Sequence, residues 1–466
     1  MSRINTNIPS LQAMTTYSKN SADLNTHLQR LSTGLRINSG KDDPSGLIAS
    51  ETLRSEMEGI NQAVSNTQRA DNVINTAEGA LSEVSSLLLN MQSLTNQAAN
   101  TGALSDDEIQ ANQLQVDSIL NSINRIANTT QFNGKKLIDG SMDYVTSGVA
   151  STSINVLSVN AAKIPDNGSL TMTVQVSQSA QTGHVDFTGT IGSAATTIEI
   201  GGVDGTTQVS FAGNTANSAV AYAINQLTGS TGVSATANGS AGISLDSTGY
   251  GKSQFVSVKA LSGTFVSSKD YGRDAEVSIN GQKASVDGIK ASVRTNDLDV
   301  DVTIDTAFNT NGSETSFSIT GGGAKFQIGS RVQSQGQIQI GIGSVNSTNL
   351  GNNQIGFLNS LGSGGDNSLV GGNTVQAQKI ITSAIEQVAT LRGRLGALQK
   401  NVLETNINSL SVALENVTAS ESDIRDADFA KETASLTRSQ ILVQANQSVL
   451  SQANSAPQQV LSLLRG

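Results

Sequence analysis

The chain of 466 residues has no cysteine, no tryptophan, four prolines and only 3% aromatic residues. Without cysteine it forms no disulfide, no thiolate zinc site and no thiol nucleophile, and it asks nothing of the redox state of its surroundings. With few large rings, its core is built from small and aliphatic groups, which suits long helices packed side by side. Charged residues are also scarce, at 14%, and the net charge is −10. Phosphate contacts need clustered Lys and Arg, so nucleic acid is not expected as a partner. A surface made polar by Asn, Gln, Ser and Thr repels its own copies weakly and favours close packing of subunits. No apolar run is long enough to span a bilayer, so no membrane insertion is expected. The opening Met1-Ser-Arg-Ile-Asn-Thr-Asn-Ile8 has no signal-peptide core either, and export is expected without a cleaved Sec signal.

Residues for catalysis are missing as well. The histidines are His27, beside an apolar helical seam, and His184, in a Gly/Thr-rich stretch read as a loop. There is no His-Glu-x-x-His pair for zinc and no Gly-x-Ser-x-Gly elbow for a nucleophilic serine. Gly251-Lys252-Ser253 resembles the end of a phosphate loop, but Asp246 stands where the motif needs its first glycine, so a solvated loop is expected. Asp423, Asp426 and Asp428 read as caps for the last helix, and Asp42-Asp43 as caps for the helix after Pro44. No enzyme activity, cofactor or metal is expected.

What the chain does have is periodicity at its two ends. Met14, Tyr17, Leu24, Leu28, Leu31 and Leu35 step by threes and fours along a first helix that is expected to end near Gly34. From about Leu47 to Asn100, Ile60, Thr67, Ile74, Leu81 and Leu88 recur every seven residues, with Ala63, Ala70, Ala77, Val84, Met91 and Ala98 offset by three. That ladder predicts a rod roughly 80 Å long at ~1.5 Å per residue. A third helix is expected after a Ser105/Glu108 capping box, with Ile109, Val116, Ile119, Ile123 and Ile126 as its stripe. Phe132-Asn-Gly-Lys135 predicts a turn that starts a hairpin. Near the C-terminus, Ile381, Ala384, Val388, Leu391, Leu395, Leu398 and Val402 form a seam whose phase slips by one residue at Leu403. The last helix carries Phe429, Leu436, Leu442, Val443, Val449 and Leu450, and an apolar stretch through Leu461 and Leu464 follows Pro457. All four prolines are expected to avoid the long helices.

Between the helical ends the chain is rich in Gly, Ser, Thr and Val, with alternating runs such as Thr171–Val176 and Val300–Ile304 and one helix over 214–225. The expected fold is mainly α at both termini, with long coiled-coil and bundle domains formed by the two ends together, and a central β-rich (α+β) insertion. Segments 1–44 and 422–466 are read as halves of a core coiled coil, 45–140 and 371–421 as halves of a helical rod, and 141–370 as a peripheral outer module in two subdomains. Termini are usually polar and frayed. Strongly patterned ends call for cover from another chain. The positions expected at the subunit and core interface are Leu24, Leu28, Leu31, Leu35, Ile60, Ile74, Leu81, Leu88, Leu391, Leu395, Leu398, Leu442, Val449, Leu450, Leu461 and Leu464.

The ends also resemble a known family. Ile4-Asn-Thr-Asn7, Arg30-Leu-Ser-Thr-Gly-Leu-Arg-Ile-Asn-Ser-Gly40, Asp42-Asp43, Thr76-Ala-Glu-Gly-Ala-Leu81, Gln97-Ala-Ala-Asn100 and Phe132-Asn133-Gly134 are similar, in order, to the opening of bacterial flagellins. Leu395-Gly-Ala397, Ile424-Arg-Asp-Ala-Asp428, Gln440-Ile-Leu442 and Pro457-Gln-Gln-Val-Leu-Ser-Leu-Leu464 resemble their close. Ala223-Ile-Asn225 and Ile279-Asn-Gly281 resemble short hook IN repeats. The resemblance implies a homopolymeric, extracellular flagellar filament for motility and export of unfolded subunits by a type III apparatus. It also implies a chaperone on the C-terminal helix, contacts with cap and hook-associated proteins, and free ends that are disordered before docking. Leu89-Asn-Met-Gln-Ser-Leu94 lacks the Arg and Glu that many flagellins carry there, which implies weak recognition by Toll-like receptor five. A hook–filament junction protein of the same superfamily is the alternative, and an enzyme grafted into the middle is a third reading.

Overall fold

The computed structural model describes residues 6–464 except 166, 167, 264, 266 and 296, with the backbone alone at 240 and 460–464. Ile4, and the side chains of Leu461 and Leu464, therefore lie outside the described residues. The helices are α1 (Ile8–Thr33), α2 (Pro44–Ala98), α3 (Asp106–Thr129), the short α4 (Asn217–Asn225) and α5 (Thr228–Thr231), then α6 (Thr374–Leu398), α7 (Thr405–Arg425) and α8 (Phe429–Leu464). The chain falls into two compact units. One is Met1–Arg69, Gln327–Gly336 and Asn401–Gly466; the other is Ala70–Phe326 and Gln337–Lys400.

The heptad ladder of α2 is buried at every rung from Ile60 and Ala63 through Leu88, Met91 and Ala98. Its alanine side admits close helix neighbours, and its threonine rungs return their hydroxyls to the helix, Thr67 Oγ1 donating to the Ala63 carbonyl at 2.8 Å. α3 opens on the Ser105/Glu108 capping box. Its buried stripe runs through Asn112, Gln113, Val116, Leu120, Ile123 and Ala127, so Ile119 and Ile126 flank the stripe rather than form it. Asn133 (φ 49°) and Gly134 (φ 79°) then make the hairpin turn between Gln131–Phe132 and Lys135–Lys136. Between α6 and α7 the backbone winds as a π-helix over Gln399–Glu404. A π turn inserts one residue into the helical repeat, which is the physical form of the phase slip at Leu403.

The middle of the chain holds two nested β bodies. In the first, a five-stranded and a four-stranded antiparallel sheet enclose Met172, Val174, Val176, Val300, Val302, Ile304 and Phe317. Both runs that alternate in the sequence, Leu170–Gln178 and Leu298–Ile304, point every second side chain into this core. The second body leaves the first after Gln178 and returns at Glu276. It packs α4 and two further sheets around Ile198, Ile200, Val220, Ile224, Leu245 and Val256. His184 begins a strand, His184–Thr188, instead of lying in a loop. Asp246 and Asp186 bond both its ring nitrogens, at 2.7 and 3.0 Å, and raise its pKa. Lys252 pairs with Asp274 at 2.9 Å.

The β-rich part ends earlier than the expected 141–370 module on its C-terminal side. Residues 327–336 cluster with the terminal helices: the Ser330 carbonyl lies 2.9 Å from where a Cβ on Gly59 of α2 would sit, and Asn406 of α7 donates to the Ile328 carbonyl at 2.9 Å. Residues 346–371 fold onto α3 and α6. Gln113 donates to the Leu361 carbonyl and accepts from Leu369 N–H, each at 2.8 Å, and Gln387 pairs with both backbone groups of Gly351. These links are made by polar side chains to loop backbone, which leaves no periodic trace in the sequence.

Candidate functional site: the paired terminal helices

α1 and α8 lie antiparallel. His27 Nδ1 meets Glu432 Oε1 at 2.6 Å near one end, and Ser10 Oγ donates to Asn454 Oδ1 at 2.6 Å near the other. Pro457 sits inside α8, contrary to the expectation that prolines avoid the long helices. A proline removes the N–H that the carbonyl four residues earlier would accept. That carbonyl belongs to Ala453, and Asn7 Nδ2 donates to it at 2.8 Å, so the break in the ladder is satisfied from α1.

The Arg30–Gly40 motif builds the joint where the two ends of the chain cross. Gly34 (φ 74°) ends α1 in the left-handed conformation that a side chain would strain. Leu35 bridges to Asp426 as an isolated β pair, with Arg36 N–H on the Arg425 carbonyl at 2.7 Å and Ala427 N–H on the Gly34 carbonyl at 2.8 Å. Ile37 is buried. Asp42 accepts from the N–H groups of Ser39 and Asn38, and Asp43 accepts from Gly46 N–H at 2.9 Å to cap α2. Asp428 likewise caps α8 through Ala430 and Lys431.

These donors hold the carboxyls of Asp42 and Asp43 below the usual aspartate range, chiefly through the Ser39 and Gly46 N–H groups respectively. A depressed carboxyl adds stability that is fully present above its ordinary value of about 3.9 and is lost as pH falls through the lower folded value. Amide protection in filaments at Asn38, Ser39 and Gly46, normalised for intrinsic exchange, is expected to fall below about pH 4. Asp42→Asn and Asp43→Asn are expected to remove that pH dependence.

The anticipated interface residues differ in exposure. Ile60, Ile74, Leu81, Leu88 and Leu395 are buried within the single chain, so they belong to its own core and offer no surface to a neighbour. Leu391 and Leu398 are half-buried. On the terminal pair, Leu28 is 45% exposed, Leu442 43% and Val449 56%, while Leu24, Leu31, Leu35 and Leu450 are half-buried. Ile8, Leu11, Met14, Ile48, Val412, Phe429 and Ile441 are exposed as well, although the sequence reading did not single them out as interface. α7 buries no side chain, and α1 buries only Ala13. α1, α7 and α8 thus leave much of their apolar surface uncovered.

Residues 4–143 match the family model described as the bacterial flagellin N-terminal helical region, residues 378–464 the C-terminal helical region, and residues 197–249 the flagellin hook IN motif. A flagellin of Clostridium tyrobutyricum is 32% identical over 98% of this chain and 100% of its own length. The chain belongs to the flagellin family. The B-type flagellin of Pseudomonas aeruginosa is 35% identical over 99% of both chains. Among solved structures, the flagellar hook associated protein-3 of Legionella pneumophila aligns over 80% of this chain and 98% of its own, at 15% identity and a TM-score of 0.31. As a flagellin, the protein is a subunit of the bacterial flagellar filament, with helical regions at both termini and a β-rich middle. The hook IN match covers Ile224-Asn225. Ile224 fills the core of the second β body, and the Asn225 amide clamps both backbone groups of Ala235 at 2.7 and 2.8 Å.

Proposed function

We propose that this flagellin polymerises through the exposed faces of α1, α7 and α8, with Leu24, Leu28, Leu31, Leu35, Leu442, Val449 and Leu450 covered by neighbouring copies and Leu461 and Leu464 extending the same contact. The observation that carries the reading is the contrast between helices. The α2 ladder is buried in the lone chain, whereas α7 buries nothing and α8 leaves Phe429, Ile441, Leu442 and Val449 in water. Burying one such side chain contributes about 1.5–3 kcal/mol, and every subunit repeats the gain.

The protein acts without catalysis or cofactor. Exported unfolded through a type III apparatus, its C-terminal helix held by a chaperone until then, it contacts cap and hook-associated proteins at the filament ends. Among the described residues no helix is long and apolar enough to cross a membrane. Electron microscopy of purified protein seeded with filament fragments tests the assembly reading: long filaments with a central pore are expected, and short rings or no growth would overturn it.

Recognition by Toll-like receptor five is expected to be weak. In Leu89–Leu94, Met91 and Leu94 are buried, and the exposed residues Leu89, Asn90 and Ser93 carry no charge. Reporter cells given purified monomer are expected to signal far below the level of flagellins with a charged stretch here; full-strength signalling contradicts this.

A further inference from the structure

The apolar seam between α1 and α8 repeats and so leaves its own register open. Leu436, Val443 and Leu450 recur every seven residues on α8, as Tyr17, Leu24 and Leu31 do on α1, and all are half-buried. Sliding one helix by a heptad, about 10 Å, sets apolar groups opposite apolar groups again.

Polar groups at the two ends remove that freedom. Glu432 is only 8% exposed, with Oε1 2.6 Å from His27 Nδ1 and 3.9 Å from the Arg30 guanidinium. At the far end the Asn7 amide is used twice. Its Oδ1 accepts from Ser10 N–H at 3.1 Å and caps α1, while its Nδ2 donates to the Ala453 carbonyl that Pro457 leaves without a helical partner. Pro457 thus marks a single turn of α8, and Asn7 fits that mark. A slide of one heptad strips both partners from the buried Glu432 carboxylate, which is costly, and takes the Asn7 donor from the half-buried Ala453 carbonyl.

We propose that Asn7 and Glu432 are positioning residues that fix the register of α1 on α8, and so give every subunit the one shape that can repeat along a filament. The proposal rests on the reading that α1 and α8 carry assembly. The chain has no cysteine, so introduced pairs report cleanly. Ser10→Cys with Asn454→Cys reports the observed register, and Ser10→Cys with Gln447→Cys reports a slide of one heptad. In filaments of the otherwise unaltered chain, oxidation is expected to close the first pair and not the second. Adding Asn7→Asp and Glu432→Leu is expected to lower the yield of the first about tenfold and to close the second. Aspartate keeps the capping oxygen but sets a charged acceptor against the Ala453 carbonyl in place of the donor, so loss of the α1 cap is not the cause.

An unchanged yield of the first pair overturns the proposal. Failure of the assembly reading looks different: filaments would then form from a chain ended at Leu450. Where the double variant gives no filament, His27→Glu with Glu432→His decides, because the exchange restores the pair in the same register. Assembly of that variant supports the proposal, and its failure to assemble overturns it.

Discussion

Ending the chain at Leu450 is expected to give a soluble subunit that forms no filament, even on seeds. The cut removes the Ala453 carbonyl and Asn454, and with them both hydrogen bonds that hold the start of α1, from Asn7 and from Ser10. It also removes the apolar stretch that holds Leu461 and Leu464 from the proposed contact. The truncated α8 still carries Glu432 and Leu436–Leu450, so a partial pair with α1 persists, but without its far end. A helix pair shortened in this way loses the cooperative gain that makes marginal helices stable. The cut lies in the unit made of Met1–Arg69, Gln327–Gly336 and Asn401–Gly466, and the other unit has its own cores around Val174 and Ile200. Calorimetry is therefore expected to show the melting of the β bodies unchanged while sedimentation shows only monomer. Normal filaments from the truncated chain would refute assembly through the end of α8.

The sequence made some of this legible for identifiable reasons. A seven-residue repeat from Ile60 to Ala98 specifies a covered helix, and every rung is buried. A one-residue slip at Leu403 specifies an inserted residue, and a π turn accommodates it. Ser105 with Glu108 specifies a cap whose geometry is local. A heptad seam does not say which chain covers it, however. Leu81 and Leu28 sit in similar patterns, yet one is fully buried and the other open to water. Nor does composition show where a loop returns. Ser330, Leu361 and Ser363 look like surface connector, and only the close approach of Ser330 to Gly59, the bond from Asn406 to the Ile328 carbonyl and the bonds that Gln113 and Asp117 make place 327–336 on α2 and α7 and 346–371 on α3. Composition alone sets Pro457 outside the long helices, because the compensating donor, Asn7, lies 446 residues away in the chain. Ile279-Asn280 was likened to a hook IN repeat, and Asn280 does clamp Thr173 N–H at 2.8 Å, but the family match stops at residue 249.

Removing residues 144–322 and joining Asp143 directly to Gly323 is expected to leave polymerisation intact. The chain enters and leaves the β bodies at one point, since Gly323 N–H donates to the Asp143 carbonyl at 3.0 Å, so closing the gap asks for almost no rearrangement. Gly323, which stays, already turns there with φ of 76°. What is lost is the β bodies, whose cores close on themselves. Of the neighbours that remain, Gly341 N–H loses the Asn160 carbonyl and Gln339 the Gly322 carbonyl, while Ile342 N–H keeps the Met142 carbonyl at 3.0 Å and Val345 N–H the Ile138 carbonyl at 3.1 Å. Arg394 on α6 loses Asp299 and Asp301 but keeps Asp143, and with the β body gone its guanidinium is returned to water instead of being stranded. A larger deletion, of 150–365, makes the contrast. It takes away 327–336, leaving Gly59 uncovered and Asn406 without the Ile328 carbonyl, and it strips Asp117 of Ser363 and Gln113 of the Leu361 carbonyl. That variant is expected to fail to assemble and to melt lower. Microscopy of both purified variants on seeds checks the pair of outcomes. Loss of assembly in the shorter deletion would place the β bodies inside the polymerising contact, and filaments from the longer one would show that 327–336 is dispensable to the terminal helices.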